Sequence, residues 1–285
     1  MKLGYNTNGL AHHDPLQAIQ LLAETGYQSV AITIDHQWLS PFDPRWPDQL
    51  RDLRRELASH TLSTVIETGA RFLLDPRRKH WPTLAGPADV AQPRINLIRH
   101  ALQIAAELES DCVSIWSGVH FDDLSMQKSL DYLASNLEII LKEADLAGVD
   151  IGFEPEPGMF IHSNTQFLRL LEWVDHPRLK MTLDVGHLLC QGELPIAGQI
   201  HRWRDRIVNV HLEDMVAGVH EHLLFGEGEI RFPPIIEAFA EIGYEGGLHV
   251  ELSRHSHDAV RAVTTSYAFL QPLVAPYQKI RKESK

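Results

Sequence analysis

The chain has 285 residues, 44% of them hydrophobic and 8% aromatic, which is enough for one domain with a large core. A formal net charge of −12 opposes a main role in gripping nucleic-acid backbones but leaves room for a small anionic substrate at a local site. Two cysteines exclude a disulfide framework, no apolar run is long enough for a membrane span, and the start turns polar by Asn6 and Thr7, so a cytoplasmic protein without membrane or nucleic-acid partners is expected. Strand-like and helix-like runs then alternate along the chain, which predicts α/β with a parallel sheet. Strands are expected near 2–6, 29–34, 63–67, 112–116, 150–154, 179–184, 207–211 and 247–251. Helices are expected near 14–25, 47–60, 92–109, 126–147, 164–174, 195–203, 233–242 and 258–273. Asp14, Ser125 and Asn164 supply capping chemistry at helix starts, and Gly26, Gly148 and Gly243 mark helix ends.

Eight such units with no linker predict a single (β/α)8 TIM barrel over residues 1–285, with a frayed tail from about 279. Gly26-Tyr27 before the second strand and Gly243-Tyr244 before the eighth are a faint internal echo of that repeat. The longest irregular stretch, roughly 68–91, follows strand three and so lies on the catalytic face. It carries Arg71, Arg77, Arg78, Lys79 and His80, and reads either as a solvated loop or as a lid offering positive charge to a substrate.

Glu154, Asp184, His211 and Glu251 each stand at the end of a strand-like run, with spacings of 30, 27 and 40 residues. One βα unit takes roughly 30 residues, so consecutive units deliver these side chains to the C-terminal mouth of the barrel. Three carboxylates and one imidazole suit a divalent ion such as Mn, Co, Mg or Zn. His187 follows Asp184 across Gly186 and reads as a substrate donor, a second-metal ligand or a helix cap. His220 and His222, two apart before the Gly226-Glu227-Gly228 turn, read as ligands of one ion, as substrate contacts or as plain surface loop. Glu67 and Trp116 end their own strands and are expected to line the pocket, with Arg71 and Glu156 as further substrate-contact candidates. No G-x-G-x-x-G or Walker loop occurs, which argues against dinucleotide and ATP chemistry.

Taken together, these motifs resemble the xylose-isomerase-like barrel superfamily, which includes sugar and sugar-phosphate isomerases and epimerases and the endonuclease-four type of AP endonuclease. The residues that carry the resemblance are Glu154, Asp184, His187, His211, His220, His222 and Glu251. In the epimerase branch it implies one Mn, Mg or Co ion on Glu154, Asp184, His211 and Glu251. Glu154 and Glu251 would also move a proton on either face of a bound ketose, and His187 would contact the substrate. The endonuclease branch implies further zinc ions, and His220 with His222 matches the position of one of its ligand pairs. The ends of strands three and four read Glu67-Thr68 and Trp116-Ser117, so a dinuclear site on His187, His220 and His222 is the form that branch would take here. The expectation is a metal-dependent isomerase or epimerase acting on a small sugar, sugar phosphate or polyol ketone. The alternatives are a dinuclear zinc hydrolase, a cyclic-polyol dehydratase and a non-catalytic metabolite-binding barrel. Barrels of this kind resemble homo-oligomers.

Overall fold

The computed structural model describes residues 1–122 and 124–283. Its strands are β1 (Lys2–Asn6), β2 (Ser29–Thr33), β3 (Ser63–Glu67), β4 (Cys112–Ile115), β5 (Asp150–Phe153), β6 (Leu179–Asp184), β7 (Ile207–Leu212), β8 (Asp214–Val216), β9 (Val219–Leu223) and β10 (Gly247–Val250). Its helices are α1 (Pro15–Thr25), α2 (Trp46–Ser59), α3 (Ala88–Leu108), α4 (Met126–Ala147), α5 (Asn164–Leu171), α6 (Val185–Cys190), α7 (Ile196–Trp203), α8 (Phe232–Glu241) and α9 (Ala259–Glu283). Strands β1 to β7 and β10 close into one parallel barrel, and β8 pairs with β9 as a separate antiparallel hairpin. The result is a single (β/α)8 barrel. Among the described residues no helix is long and apolar enough to cross a membrane.

Alternation along each strand builds the two layers. Val30, Ile32, Ile66, Val113, Ile151, Phe153, Leu183, Val210 and Leu248 point outward and join the main apolar core under the helices. A smaller cluster of Ala31, Val65 and Cys112 plugs the barrel interior. His249 also points inward, with Nδ1 2.8 Å from Asn209 Oδ1 and Nε2 2.9 Å from Ser29 Oγ. Gly4 gives it room, since a Cβ there would overlap its ring. Strand register sets the mouth above this layer: Asp184 is level with His211, and His211 with His249. Glu251, two residues beyond His249, therefore projects to the same side as His211.

The elements depart from the sequence expectation in several places: helix α6 was not expected, and α5 ends at Leu171 rather than near 174. Ser163 rather than Asn164 caps α5, accepting from the Gln166 N–H. Helix α3 begins at Ala88, four residues early, behind Pro87. Helix α9 continues to Glu283 through Pro272 and Pro276, because Leu270 and Val274 are buried and tertiary packing outweighs the two prolines. The helix thus covers 279–283, where a frayed tail was expected, and 284–285 lie outside the described residues. The β8–β9 hairpin was not expected at all.

Candidate metal centre and substrate pocket

Each side chain of the first cluster is delivered by a rigid strand or the residue just after one. Glu154 follows β5, and its N–H donates to Ile115 O at 2.8 Å before Pro155 ends the pairing. Asp184 closes β6 and caps α6, accepting from the His187 N–H at 2.7 Å. His211 lies in β7, and Glu251 follows β10. His211 Nδ1 sits 3.1 Å from Glu154 Oε1, 3.0 Å from Glu251 Oε2 and 3.9 Å from Asp184 Oδ2. Its other nitrogen, Nε2, is 2.8 Å from Glu67 Oε1, which also accepts from Asn209 Nδ2 at 2.9 Å. Asn8 Nδ2 donates to Glu251 Oε1 at 2.7 Å.

The electrostatics follow from several carboxylates crowding one imidazole. Burial disfavours charge on His211, but Glu67, Glu154 and Glu251 outweigh it and hold its pKa well above the usual histidine value. Burial pushes Glu154 well above the usual carboxylate range, against the pull of His211. At Glu251 burial acts in the same direction, but His211, His222 and His187 overcome it and the net shift is downward. Burial pushes Glu156 up to about 8, reinforced by Glu251.

Glu154, Asp184, His211 and Glu251 each offer one ligand atom, all within 4.8 Å of one another. Asp184 Oδ2 is buried with no hydrogen-bond partner. A buried carboxylate oxygen left open beside two further carboxylates and an imidazole fits a divalent cation.

The histidines expected near the mouth form a second cluster. His187 Nε2 is 3.1 Å from His220 Nε2, which is 3.4 Å from His222 Nε2. Hairpin strand β9 places His220 and His222, and His222 Nδ1 is tied to Glu251 O at 2.9 Å. These three imidazoles also bring ligand atoms within 4.8 Å of one another, an all-nitrogen set that suits zinc. His187 and Glu154 link the clusters, with Nδ1 3.6 Å from Oε1.

Glu213 and Asp214 follow His211 and Leu212 at the end of β7. Glu213 is fully buried, accepts from the Gly186 N–H at 3.0 Å and forms a third ligand group with His222 and Glu251. A Cβ at position 186 would strike Glu213 Oε1, so a larger residue there would displace that carboxylate. Asp214 orients backbone instead: Oδ2 accepts from Gly226 N–H at 2.8 Å and Oδ1 from Ile230 N–H at 3.1 Å.

Both clusters open into one pocket, which Glu67, Arg71, Trp116 and Glu156 also line. From the long loop after β3, Lys79 and His80 reach the pocket too, whereas Arg78 pairs with Asp75 and stacks on Trp81. One residue that sequence reasoning missed shapes that loop. Arg94 of α3 is buried, and its guanidinium donates to Thr68 O at 3.2 Å, His80 O at 2.9 Å and Pro82 O at 3.1 Å. It also lies 4.6 Å from the centroid of the Trp116 ring, which meets His80 in a T-shaped contact with centroids 5.4 Å apart. No local motif distinguishes it from the other arginines of the amphipathic helices.

Comparison with known proteins agrees with this architecture. The sequence model of the xylose isomerase-like TIM barrel family matches residues 19–273. An inosose dehydratase of Lacticaseibacillus casei is 29% identical over 166 residues, covering 52% of this chain and 53% of the relative. The chain therefore spans about half the length of that relative. An L-ribulose-5-phosphate 3-epimerase of Escherichia coli is 21% identical over 243 residues, covering 83% of this chain and 81% of the relative. The crystal structure of a D-tagatose 3-epimerase-like protein superposes with a TM-score of 0.77 at 23% identity, covering 100% of this chain and 99% of the other.

Proposed function

The chain belongs to the xylose isomerase-like TIM barrel family, and from that premise we propose that it is a divalent-metal-dependent isomerase or epimerase of a small sugar or polyol ketone. The observation that carries this reading is the convergence of Glu154, Asp184, His211 and Glu251 at the floor of a polar pocket, with Asp184 Oδ2 left open. Glu154, Asp184, His211 and Glu251 would hold the cation. Bound there, a divalent ion supplies polarisation of the substrate's carbonyl and hydroxyl oxygens and so eases enolisation.

The chain's own residues handle the proton. Strand order places β6 and β7 between β5 and β10, so Glu154 and Glu251 approach from either side of the Asp184–His211 pair. One removes the proton from the carbon beside the carbonyl, and the other returns a proton to the opposite face. Asn8 steers Glu251 by its hydrogen bond, and Trp116 offers a flat wall for the sugar. His187 belongs to the second cluster, and with Nδ1 3.6 Å from Glu154 Oε1 it would reach a substrate hydroxyl.

Solvent-deuterium exchange tests the reading. The protein, loaded in turn with Mn, Co, Mg and Zn, is incubated with a panel of ketoses in deuterium oxide. Deuterium at the α-carbon is expected, and Glu154→Gln and Glu251→Gln each abolish it. No incorporation with any metal and ketose overturns the assignment.

The similarity to an inosose dehydratase favours a second reading, in which the same enolisation expels a β-hydroxyl from a cyclic polyol. A conjugated chromophore appearing with such a substrate, without epimer formation, selects it. The His187, His220 and His222 cluster is proposed to hold a second cation, zinc by preference. Elemental mass spectrometry is expected to find one zinc fewer in His220→Ala/His222→Ala than in the parent protein.

A further inference from the structure

The pocket's charge is divided. Its lining carries Glu67, Glu154, Glu156 and Glu251, with Asp184 grouped behind Glu154 and Glu251, and it also carries Arg71, Lys79 and Arg254. Two loops bring these cations to one wall. Arg71 and Lys79 come from the loop after β3, and Arg254 from the segment after β10. Arg71 Nη2 donates to Ser253 O at 3.0 Å, which fastens one loop to the other and leaves the rest of its guanidinium fork open. The His80 N–H donates to Arg71 O at 2.7 Å and folds Lys79 back beside Arg71.

Two of these three cations lack a carboxylate in ion-pair contact. Among the described residues Arg45, Arg78, Arg99 and Arg178 each pair with a carboxylate within 3.1 Å, whereas no carboxylate pairs with Arg71 or Lys79. Arg254 shares Glu221 Oε1 at 3.0 Å on the exposed side. Partial burial, then Arg71 and Arg254, lower the Lys79 pKa, while Glu156 opposes them. Two further groups on the same wall wait for a partner: Trp116 Nε1 and His80 Nδ1 are buried without one. In a chain of net charge −12, open cations gathered at the mouth of an acidic pocket mark where an anion docks.

We propose that the pocket selects a ketose carrying a phosphoryl group, held at the mouth by Arg71, Lys79 and Arg254 while the carbonyl end faces Glu154 and Glu251. This rests on the reading that the pocket binds a ketose. A phosphoryl dianion offers three oxygens to three cationic groups, and an arginine fork matches it in two-point contact. The acidic floor and basic mouth also set the direction of entry, with the uncharged polyol end inward.

Calorimetric titration of the Mn-loaded protein with one ketopentose, its 5-phosphate and the matching sugar acid tests this, beside Arg71→Gln/Lys79→Gln. The phosphate is expected to bind at least about tenfold more tightly than the parent sugar, an advantage lost in the double variant. Equal or undetectable binding of the phosphate, a sugar acid that binds as tightly, or a preference that survives the double substitution overturns the proposal. The melting temperature of the variant is measured alongside, and both side chains are exposed, so a folding defect is visible separately. The two readings fail differently. Phosphate preference without deuterium exchange sinks the isomerase reading alone, and exchange on the free sugar without phosphate preference sinks this one alone.

Discussion

Glu67 decides which nitrogen of His211 is available. By accepting at Nε2 it leaves Nδ1 for Glu154, Asp184 and Glu251, the carboxylate–imidazole arrangement that orients metal ligands. Glu67→Gln keeps the shape but removes the charge. It is expected to weaken manganese binding about 10-fold to 100-fold, read by competition with a fluorescent chelator. An unchanged dissociation constant contradicts the role. His211 also links metal to pH. In the metal-free protein Glu67, Glu154 and Glu251 raise its pKa above the ordinary 6.5. Its charge therefore stabilises the fold fully below 6.5, and that stabilisation is lost as pH rises through the higher folded value. A cation needs the neutral ring, so protons and metal compete. The rise in melting temperature on adding manganese is thus expected to grow as pH climbs above 6.5. A rise that stays flat or shrinks with pH argues against His211 as a ligand. Glu154, Asp184, His211 and Glu251 were legible because each ends an apolar run one βα unit from the next. Glu213 was not fully legible, since its partner is the backbone N–H of Gly186 rather than a motif.

The β8–β9 hairpin shows where reading by element fails. Its strands are three and five residues long, and His220-Glu221-His222 reads as a polar loop. Register to the rest of the site comes from Asp214, which gathers the Gly226 and Ile230 N–H groups behind the hairpin. Asp214→Ala removes the charged acceptor of two part-buried N–H groups and is expected to cost about 1–2 kcal/mol in urea unfolding. It is also expected to lower zinc occupancy of the three-histidine cluster. Full occupancy with unchanged stability would separate the turn from the site. The barrel strands were read almost to the residue, because buried β-branched runs between glycine-ended helices leave few alternatives. The expected last helix already passes Pro272 but ends at 273, one residue before Val274, whose burial is invisible before the chain folds.

At the scale of the whole molecule, the proposed cation would be held from β6, β7 and the residues just after β5 and β10, and would so tie four strands of the barrel together. An ion that binds only the folded chain stabilises it by about 2.7 kcal/mol at 100 times its dissociation constant. For a chain of 285 residues that corresponds to a melting temperature higher by roughly 4–5 °C. Calorimetric scans with manganese and with a chelator check this, and coincident transitions would mean that no structural cation bridges these strands. The barrel itself was legible from the repeat length alone, whereas the shape of its mouth was not, because the contacts of Arg94 join residues far apart in the chain. That arginine has a kinetic consequence. It grips three carbonyls of the loop after β3 from behind, so the rim carrying Arg71, Lys79 and His80 is set before any ligand arrives. A rim of this kind costs little ordering entropy on binding. Ligands of equal charge then arrive at similar rates, and the protein tells them apart by how long each one stays.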